Sequence, residues 1–316
     1  MKRLITIMTA CYNEEANVEP LYQRVKEVMG QLPNYRYEHL FIDNASHDKT
    51  VAVLRSLAAQ DKNVKVIVNT RNFGHIRSPY HALLQAEGDA VISVVADFQD
   101  PPELILEFVK HWEAGYKVVK AVKSESKETA LMFFLRKMFY EFINKLSDIE
   151  LTKNFTGFGL YDKEVIRAMR KIDDPYPYFR GLISELGYEF AVVPYTQPVR
   201  KRGITKNNFY TLYDMAMLGI ISHSKIPLRL ATMIGFLMAG LSFLVAVVYF
   251  IYKLIYWKEF NVGTAPMVIG LFFFASVQLF FLGILGEYIG VIHTQILKRP
   301  LVVEKERINF ETNAPE

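Results

Sequence analysis

Apolar runs alternate with amphipathic stretches along the first part of the chain. The runs are nearly continuous in Val and Ile, as is typical of strands that are buried on both faces. This pattern predicts strands at residues 3–11, 37–46, 63–70, 89–97 and 116–123, with helices between them at residues 19–32, 50–60, 78–85 and 102–114. Strands that alternate with helices in this way indicate an α/β fold, with a mostly parallel sheet and helices on both faces.

Two uncharged runs follow near the C-terminus. Residues 230–252 and 260–286 contain no charged side chain, over 23 and 27 positions respectively. At about 1.5 Å per residue, a helix of either length can span a hydrocarbon core of roughly 30 Å. The runs therefore predict two transmembrane helices. The alternative is a pair of helices buried in a soluble core.

Basic residues flank these two runs. Lys225 and Arg229 precede the first run, Lys298 and Arg299 follow the second, and the short connector carries two further lysines. Because basic residues are enriched on the cytoplasmic side of membrane proteins, we expect both ends of the chain in the cytoplasm. Four parts are expected: a cytoplasmic domain at residues 1–208, juxtamembrane interface helices at 209–229, a two-helix transmembrane region at 230–290 and a cytoplasmic tail at 291–316.

Charge and cysteine content narrow the function classes. A net charge of +4 on 316 residues is too mild to indicate nucleic-acid binding, whereas basic residues beside the apolar runs suit anionic lipid or phosphate. The single cysteine, Cys11, excludes an intrachain disulfide and a cysteine-rich metal site, and is predicted to be a core thiol. The basic N-terminus leads into a short apolar stretch without a small-residue cleavage site, which indicates a first strand rather than a signal peptide.

Polar side chains follow each of the first four predicted strands. They are Tyr12 to Glu14, Asp43 with Asn44, residues 69–72, and Asp97 to Asp100. Ligands of parallel α/β sheets bind outside the carboxyl ends of the strands. These side chains are therefore expected to line one crevice.

Asp97 and Gln99 lie two residues apart beyond the fourth strand. A turn between them would aim both side-chain oxygens at one cation. Hard cations such as Mg²⁺ take such oxygens together with phosphate oxygens of a substrate, so the pair predicts a metal-bound diphosphate. Helix capping is the alternative use of an acidic turn, above all for Asp48 and Asp100.

Eight segments of the chain, in order, carry a family resemblance. They are TACYNEEANV, FIDNASHDKT, NTRNFGH, GDAVISVVADFQDPPELI, YFRGLI, RKRGITKNN, SKIPLRLATMIGF and QLFFLGILGEYIGVIHTQILKRP. This set resembles glycosyltransferase family 2, and within it the membrane-anchored polyprenyl-phosphate glycosyltransferases related to dolichyl-phosphate mannose synthase and the bactoprenol glucosyltransferases. No single segment is specific, but the ordered set spans nearly the whole chain, including both C-terminal helices.

The resemblance implies a nucleotide-sugar-binding domain of the GT-A type. In that family a divalent cation, Mg²⁺ or Mn²⁺, bridges the donor's diphosphate, and here it would sit on Asp97 and Gln99. Asp97 is accordingly expected to be a catalytic residue. The nucleotide sugar would be held by five residues: Tyr12, Glu14, Asp43, Arg71 and Asp97.

The resemblance also implies basic residues that bind the phosphates of the substrates. Arg200 and Lys206 match the family's basic loop that closes over phosphates, a duty that suits the planar fork of arginine. Arg200 is therefore the second expected catalytic residue; the alternative is a solvated basic patch. Residues 129–146 carry an apolar stripe beside Arg136, so this segment either packs on the sheet or lies at the membrane surface with Arg136 toward lipid phosphate.

Two positions depart from the family pattern. Family members commonly carry aspartate, alanine, aspartate, leucine and glutamine where this chain has VADFQ, so Val95 replaces the first carboxylate and predicts a looser cation. Asp100 acting through water is an alternative source of an oxygen. Many relatives carry GDFRL, with a proposed catalytic base, where this chain has Gly157 and Gly159. No base is carried over, and Asp162 is expected to be an ordinary surface aspartate; the alternative is that it swings in as a substitute base.

A polyprenyl monophosphate acceptor lessens the need for a base. Its second ionisation lies near pH 6, so at neutral pH the acceptor is already a nucleophile. The resemblance thus implies inverting transfer of a sugar, from a UDP-sugar such as UDP-glucose or UDP-N-acetylglucosamine, to undecaprenyl phosphate for cell-envelope glycosylation. The expected location is a bacterial plasma membrane, with a homo-oligomer as a further expectation. The alternatives are a catalytically silent partner of a flippase or second transferase, and a polysaccharide synthase.

Overall fold

The first part of the chain folds as its apolar pattern predicts. The structure, a computed structural model, describes residues 2–124, 152–198, 217–222, 224–256 and 264–310. Four parallel strands form its centre in the order β4-β1-β2-β3. These strands are β1 (Leu4–Cys11), β2 (Arg36–Asp43), β3 (Val64–Asn69) and β4 (Ala90–Ser93). The helices that follow them are α1 (Val18–Gly30), α2 (Thr50–Gln60), α3 (Gly74–Gln85) and α4 (Leu104–Glu113).

An antiparallel strand makes the sheet mixed. β5 (Val118–Lys123) does not pair with β4, because β6 (Phe155–Asp162) lies between the two and runs antiparallel to both. β7 (Phe190–Tyr195) then pairs in parallel with β5 and forms one edge of the sheet. Two short helices, α5 (Lys163–Arg170) and α6 (Phe179–Glu185), lie between β6 and β7. The apolar pattern predicted neither β6 nor β7.

The opposite edge of the sheet comes from the end of the chain. β8 (Glu304–Ile308) pairs antiparallel with β3, so that Glu304 faces Asn69 and Ile308 faces Val66. These five residues, EKERI, show no apolar alternation and lie within the segment that the sequence analysis assigned to the C-terminal tail. The sheet therefore contains strands from both sides of the two long apolar runs.

Side chains pack on both faces of the sheet. Along β1, Ile7 belongs to a core cluster with residues of α1 and α4, whereas the next residue, Met8, packs with α3, α5 and α6. This alternation is the two-residue period of a strand covered on both sides. Cys11 lies buried in a third cluster against α2, as predicted for a core thiol, and burial raises the pKa of its thiol well above the ordinary value.

The two uncharged runs form long helices, α7 (Ile226–Ile255) and α8 (Thr264–Ile296). Each contains a stretch that is long and apolar enough to cross a membrane, Ile226–Ile255 in α7 and Ile269–Ile296 in α8. Their apolar side chains are exposed rather than packed against the rest of the described chain. A pair of helices buried in a soluble core, the alternative from the sequence, is not what the described residues form.

The long helices join the domain at the edge where the parallel strands end. The Tyr288 hydroxyl donates to the carbonyl oxygen of Ser224 at 2.7 Å, which ties α8 to the chain two residues before α7. Gln295 Nε2, in the last turn of α8, donates to Asp174 Oδ1 at 2.8 Å. The chain then reaches β3, where the amide of Thr70 donates to the carbonyl oxygen of Val303 at 2.9 Å.

Candidate active site

Two turns at the carboxyl ends of β1 and β2 are locked together. Asn13 adopts a left-handed conformation with φ +57°, and its amide donates to Ser46 Oγ at 2.8 Å. In return, the amide of His47 donates to Asn13 Oδ1 at 2.8 Å. The amide of Glu14 donates to Thr50 Oγ1 at 2.9 Å, which adds the start of α2 to the network. The crevice therefore has a rigid wall at these two strand ends.

The predicted nucleotide-binding residues of this wall differ in their exposure to solvent. Tyr12 and Glu14 are partly exposed, with the Tyr12 ring edge-on to His47 and Glu14 Oε2 accepting from Asn17 Nδ2 at 2.6 Å. Asp43 is fully buried, accepts from the amide of Ser46 at 2.9 Å, and has its pKa raised chiefly by burial. The Asp43 carboxylate thus holds the turn, and its contact with a nucleotide stays a prediction.

The predicted turn between Asp97 and Gln99 is present. Phe98 has a left-handed conformation with φ +60°, and the amide of Gln99 donates to Asp97 Oδ1 at 3.1 Å. Asp97 is largely buried, whereas Gln99 is partly exposed. This local bond fixes the backbone that carries both candidate metal ligands.

Asp100 holds the same loop from within the domain. Its carboxylate accepts from the amide of Val95 and from the hydroxyl of Tyr195, both at 3.3 Å. Burial, together with the charge of Asp97, raises the pKa of Asp100 to about 7. Asp100 does not cap α4, because residue 103 is the N-cap of that helix, whereas Asp48 does accept from the amide of Thr50, the first residue of α2, at 3.0 Å. Asp100 is a positioning residue for the 95–100 loop, and the sequence offered no signal for its partner Tyr195 on β7.

A divalent cation fits the Asp97 and Gln99 pair only as a partly hydrated ion. Within the described part of the chain, no three His, Cys, Asp or Glu side chains come together around one point. One carboxylate and one amide oxygen would leave most of the coordination to water and to substrate phosphates, which is how Mg²⁺ is usually bound. Val95, 42% exposed at the start of the loop, supplies no oxygen.

The two glycines that depart from the pattern implied by the resemblance lie in tightly packed parts of β6. Gly157 has φ +103°, and a Cβ there would lie 3.3 Å from the ring of Phe179. A Cβ on Gly159 would lie 2.2 Å from the carbonyl oxygen of Val119, because β6 packs directly against β5. Side chains at these positions would therefore require a different arrangement of both strands.

Asp162 is buried, so the expectation of a surface aspartate is wrong. It accepts from Trp112 Nε1 at 2.7 Å and, as the N-cap of α5, from the amide of Glu164 at 2.9 Å. Since β6 runs antiparallel to β4, Asp162 pairs with Ala90, the first residue of β4. It lies at the end of the sheet opposite Asp97 and cannot replace a catalytic base.

The remaining predicted residues fall into two groups. Arg71 follows β3, three strand spacings or roughly 14 Å along the sheet edge from the strand that precedes Asp97. Its guanidinium lies 4.0 Å from the centroid of the Phe73 ring, on the β8 side of the crevice. Arg136, Arg200 and Lys206 lie outside the residues that the structure describes, as do residues 129–146.

Comparisons with known proteins bear on the family of the chain. Residues 6–170 match the model of the family described as Glycosyl transferase family 2. An uncharacterized glycosyltransferase of Bacillus subtilis (strain 168) is 35% identical, over 97% of this chain and 94% of its own length. The SfII prophage-derived bactoprenol glucosyl transferase of Shigella flexneri is 33% identical, over 96% of this chain and 97% of its own length.

One solved structure aligns with most of the chain at low sequence identity. The mannosyltransferase from Pyrobaculum calidifontis, solved in complex with GDP-Man and Mn²⁺, has a TM-score of 0.47 to this chain. It is 14% identical, and the alignment covers 94% of this chain and 87% of the other. A likeness at that level does not transfer a ligand from one protein to the other.

Proposed function

The chain belongs to glycosyl transferase family 2, and from that membership we propose that it transfers a sugar from a nucleotide donor to a polyprenyl phosphate. The donor is a UDP-sugar, such as UDP-glucose or UDP-N-acetylglucosamine, and the anomeric carbon is inverted. The product is a lipid-linked monosaccharide for cell-envelope glycosylation. The relative named bactoprenol glucosyl transferase supports the acceptor, because it matches this chain over nearly its full length.

One observation carries the proposal. The crevice that contains Asp97 lies at the same edge of the sheet at which the long apolar helices join the domain, through Val303 on Thr70 and Gln295 on Asp174. A soluble donor can enter that crevice from water, and a lipid phosphate can reach it from the membrane. An acceptor confined to the membrane requires this side of the domain to face the lipid.

The chain's own residues position the reactants rather than exchange protons. The acceptor phosphate is largely a dianion at neutral pH and attacks as it stands. Asp97 and Gln99 would hold a divalent cation, whose chemistry is to neutralise charge on the departing nucleotide diphosphate. Arg200 and Lys206 would bind phosphate oxygens beside it. No base is needed, in keeping with the glycine at position 157.

We place residues 1–208 and 291–316 in the cytoplasm of a bacterium and residues 230–290 in its plasma membrane. β3 and β8 support this placement, because they come from opposite sides of the helix pair and yet share one sheet. The juxtamembrane helices at 209–229 belong to the same proposal.

The test is transfer of label into lipid. Purified full-length protein is incubated with Mn²⁺, undecaprenyl phosphate and a panel of radiolabelled nucleotide sugars, and the organic phase is counted. We expect one UDP-sugar to label the lipid, and Asp97→Asn to lower the rate by about 100-fold or more, since a preorganised electrostatic contact is worth that much. Glu107→Gln, an exposed charge on α4, is the matched control and should keep the rate. Absence of label with every donor would favour the catalytically silent partner.

A further inference from the structure

Three arginines from separate segments meet on the β8 side of the crevice. Arg71 follows β3, Arg77 lies in the first turn of α3, and Arg299 follows α8. The guanidinium carbons of Arg71 and Arg77 lie 4.0 and 5.5 Å from the centroid of the same Phe73 ring. Arg77 also donates from Nη2 to the carbonyl oxygen of Pro300, the residue after Arg299. We call these residues the arginine cluster.

Hydrogen bonds of a buried asparagine hold the loop that carries Arg71. Asn44 Oδ1 accepts from the amide of Phe73 at 2.8 Å, and Asn44 Nδ2 donates to Asn72 Oδ1 at 2.9 Å. Asn44 itself is buried, so the loop that carries Arg71 and Phe73 is held by the core. The backbone of the loop that carries Arg71 is therefore fixed by contacts with the buried Asn44.

No carboxylate compensates the charge of the arginine cluster in the part of the chain that the structure describes. Within the described residues, none of its members forms an ion pair with a carboxylate, and Arg77 Nε is enclosed without a hydrogen-bond partner. Asp173 and Asp174, on the loop after α5, are engaged by Lys298 and Gln295. Burial, followed by the charges of Arg71 and Arg299, lowers the pKa of Arg77. Like charges gathered in this way repel one another unless an anion binds among them.

The lipid-facing surface ends directly before the arginine cluster. Ile289, Ile292 and Ile296 are exposed along the last turns of α8, and the stretch that is apolar enough to span a membrane ends at Ile296. Lys298 and Arg299 follow at once. In a membrane-spanning helix, the point at which apolar side chains are followed by basic ones lies at the depth of the lipid headgroups.

We propose that Arg71, Arg77 and Arg299 form a binding site for the phosphate of an anionic phospholipid headgroup. Arginine forks bind phosphate oxygens in pairs, and three uncompensated charges favour an anionic headgroup over a zwitterionic one. The site lies across the crevice from Asp97, and the proposal assigns Arg71 to the headgroup rather than to the nucleotide sugar, the role that the family resemblance implied for it. The inference rests on α8 crossing the membrane and not on the transfer reaction. A bound headgroup would hold the crevice at a fixed height above the membrane surface.

Native mass spectrometry of the full-length protein in detergent tests this site. Phosphatidylglycerol or phosphatidylcholine is titrated in, and the affinity of the first bound lipid is measured. We expect phosphatidylglycerol to bind more tightly, and Arg299→Gln to weaken it about tenfold or more, because one charge-assisted hydrogen bond is lost. Phosphatidylcholine binding should stay unchanged. The matched control is Arg36→Gln, which removes an exposed positive charge at the opposite end of β2.

Arg299→Gln is the decisive variant, since Arg299 makes no hydrogen bond within the described residues. Arg77→Gln should weaken phosphatidylglycerol at least as much, but it also removes the bond to Pro300. Equal weakening by Arg36→Gln would overturn the site in favour of diffuse attraction, and an unchanged affinity in Arg299→Gln would overturn it outright. Displacement of the lipid by excess inorganic phosphate alone would identify a soluble phosphate ligand instead and so overturn the lipid assignment.

Discussion

Val95 is the position at which we expect the crevice to differ most from those of its relatives. Its side chain is 42% exposed, two residues before Asp97, and its amide is held by the buried carboxylate of Asp100. The backbone of the 95–100 loop is therefore fixed, while the side chain at its start is open to solvent. A change of side chain at this position alters the chemistry of the crevice with little cost to folding.

Val95→Asp should strengthen the binding of the cation. A second carboxylate beside Asp97 adds one charged oxygen, and we expect the Mn²⁺ concentration for half-maximal sugar transfer to fall about tenfold, equivalent to about 1.4 kcal/mol. The measurement is the transfer rate against free Mn²⁺. Val95→Asn has the same shape without the charge and is the control. The same Mn²⁺ dependence in both variants would show that Val95 does not border the cation site.

His39, on β2, is a buried base that makes the fold sensitive to acid. Its ring stacks 3.9 Å from Phe41, its Nε2 lies 3.1 Å from Thr9 Oγ1, and burial lowers its pKa to about 3. The unfolded chain takes up this proton near pH 6.5, whereas the folded chain does so only near pH 3. The stability that depends on neutral His39 is thus complete above about pH 6.5 and is lost as the pH falls toward 3.

His39→Leu should remove part of this acid sensitivity. Between pH 7.5 and pH 5, the parent should lose about 2 kcal/mol of unfolding free energy through His39, and the variant should lose that much less. Chemical denaturation of the full-length protein in detergent, followed by tryptophan fluorescence at the two pH values, measures the difference. His47→Leu, on an exposed loop, is the control and should retain the parent's sensitivity. Identical pH dependence in His39→Leu and the parent would contradict the argument.

At the scale of the element, β8 shows how side chains can hold a strand that lacks an apolar pattern. Glu306 pairs with Arg55 of α2 at 2.5 Å, and Glu304 pairs with His81 of α3 at 2.6 Å. Asn309, left-handed at φ +60°, donates from Nδ2 to the carbonyl oxygens of Ala58 and Val64 at 2.6 and 2.9 Å. Asn309 therefore joins the end of β8 to two neighbouring elements.

Asn309→Ala should loosen β8. It removes the hydrogen bonds to both carbonyl oxygens and places a Cβ residue without a local polar bond in the left-handed region, so we expect a loss of about 1–3 kcal/mol. Faster tryptic cleavage after Lys305 and Arg307 in the native protein is the readout. Asn63→Ala, an exposed asparagine before β3, is the matched control. Cleavage as slow as in the control would mean that strand pairing alone holds β8.

The elements also show what the sequence can and cannot reveal. β1 to β5 and α1 to α4 were predictable because each buries apolar residues with a local period. β6 was missed because its glycines, Gly157 and Gly159, break that period: Gly159 packs closely against β5, and Gly157 lies against the ring of Phe179. β8 was missed because five mostly charged residues pair with β3 from a distance in sequence. The turn at Asp97 was predictable from spacing, whereas the partnership of Asp100 with Tyr195 depends on the position of β7.

At the scale of the whole molecule, the sheet constrains how the chain crosses a membrane. β3 precedes the two long helices and β8 follows them, and the two strands are hydrogen-bonded neighbours. Both ends of the helix pair must therefore lie on one side of the membrane, which requires an even number of crossings. The positive-inside tendency alone was ambiguous, because the connector carries two lysines of its own. The shared sheet is a geometric constraint that is independent of charge.

Cysteine labelling tests this constraint. Cys11 is buried and should give little background, so single cysteines are added at Glu259 in the connector, at Lys305 in β8 and at Glu107 in α4. On intact bacterial cells, a membrane-impermeant maleimide should label Glu259→Cys alone, because the proposed topology puts the connector outside the cell. After permeabilisation Lys305→Cys and Glu107→Cys should react as well, which controls for accessibility. Labelling of Lys305→Cys but not Glu107→Cys in intact cells would contradict the topology, since both residues belong to the one domain that the sheet holds together.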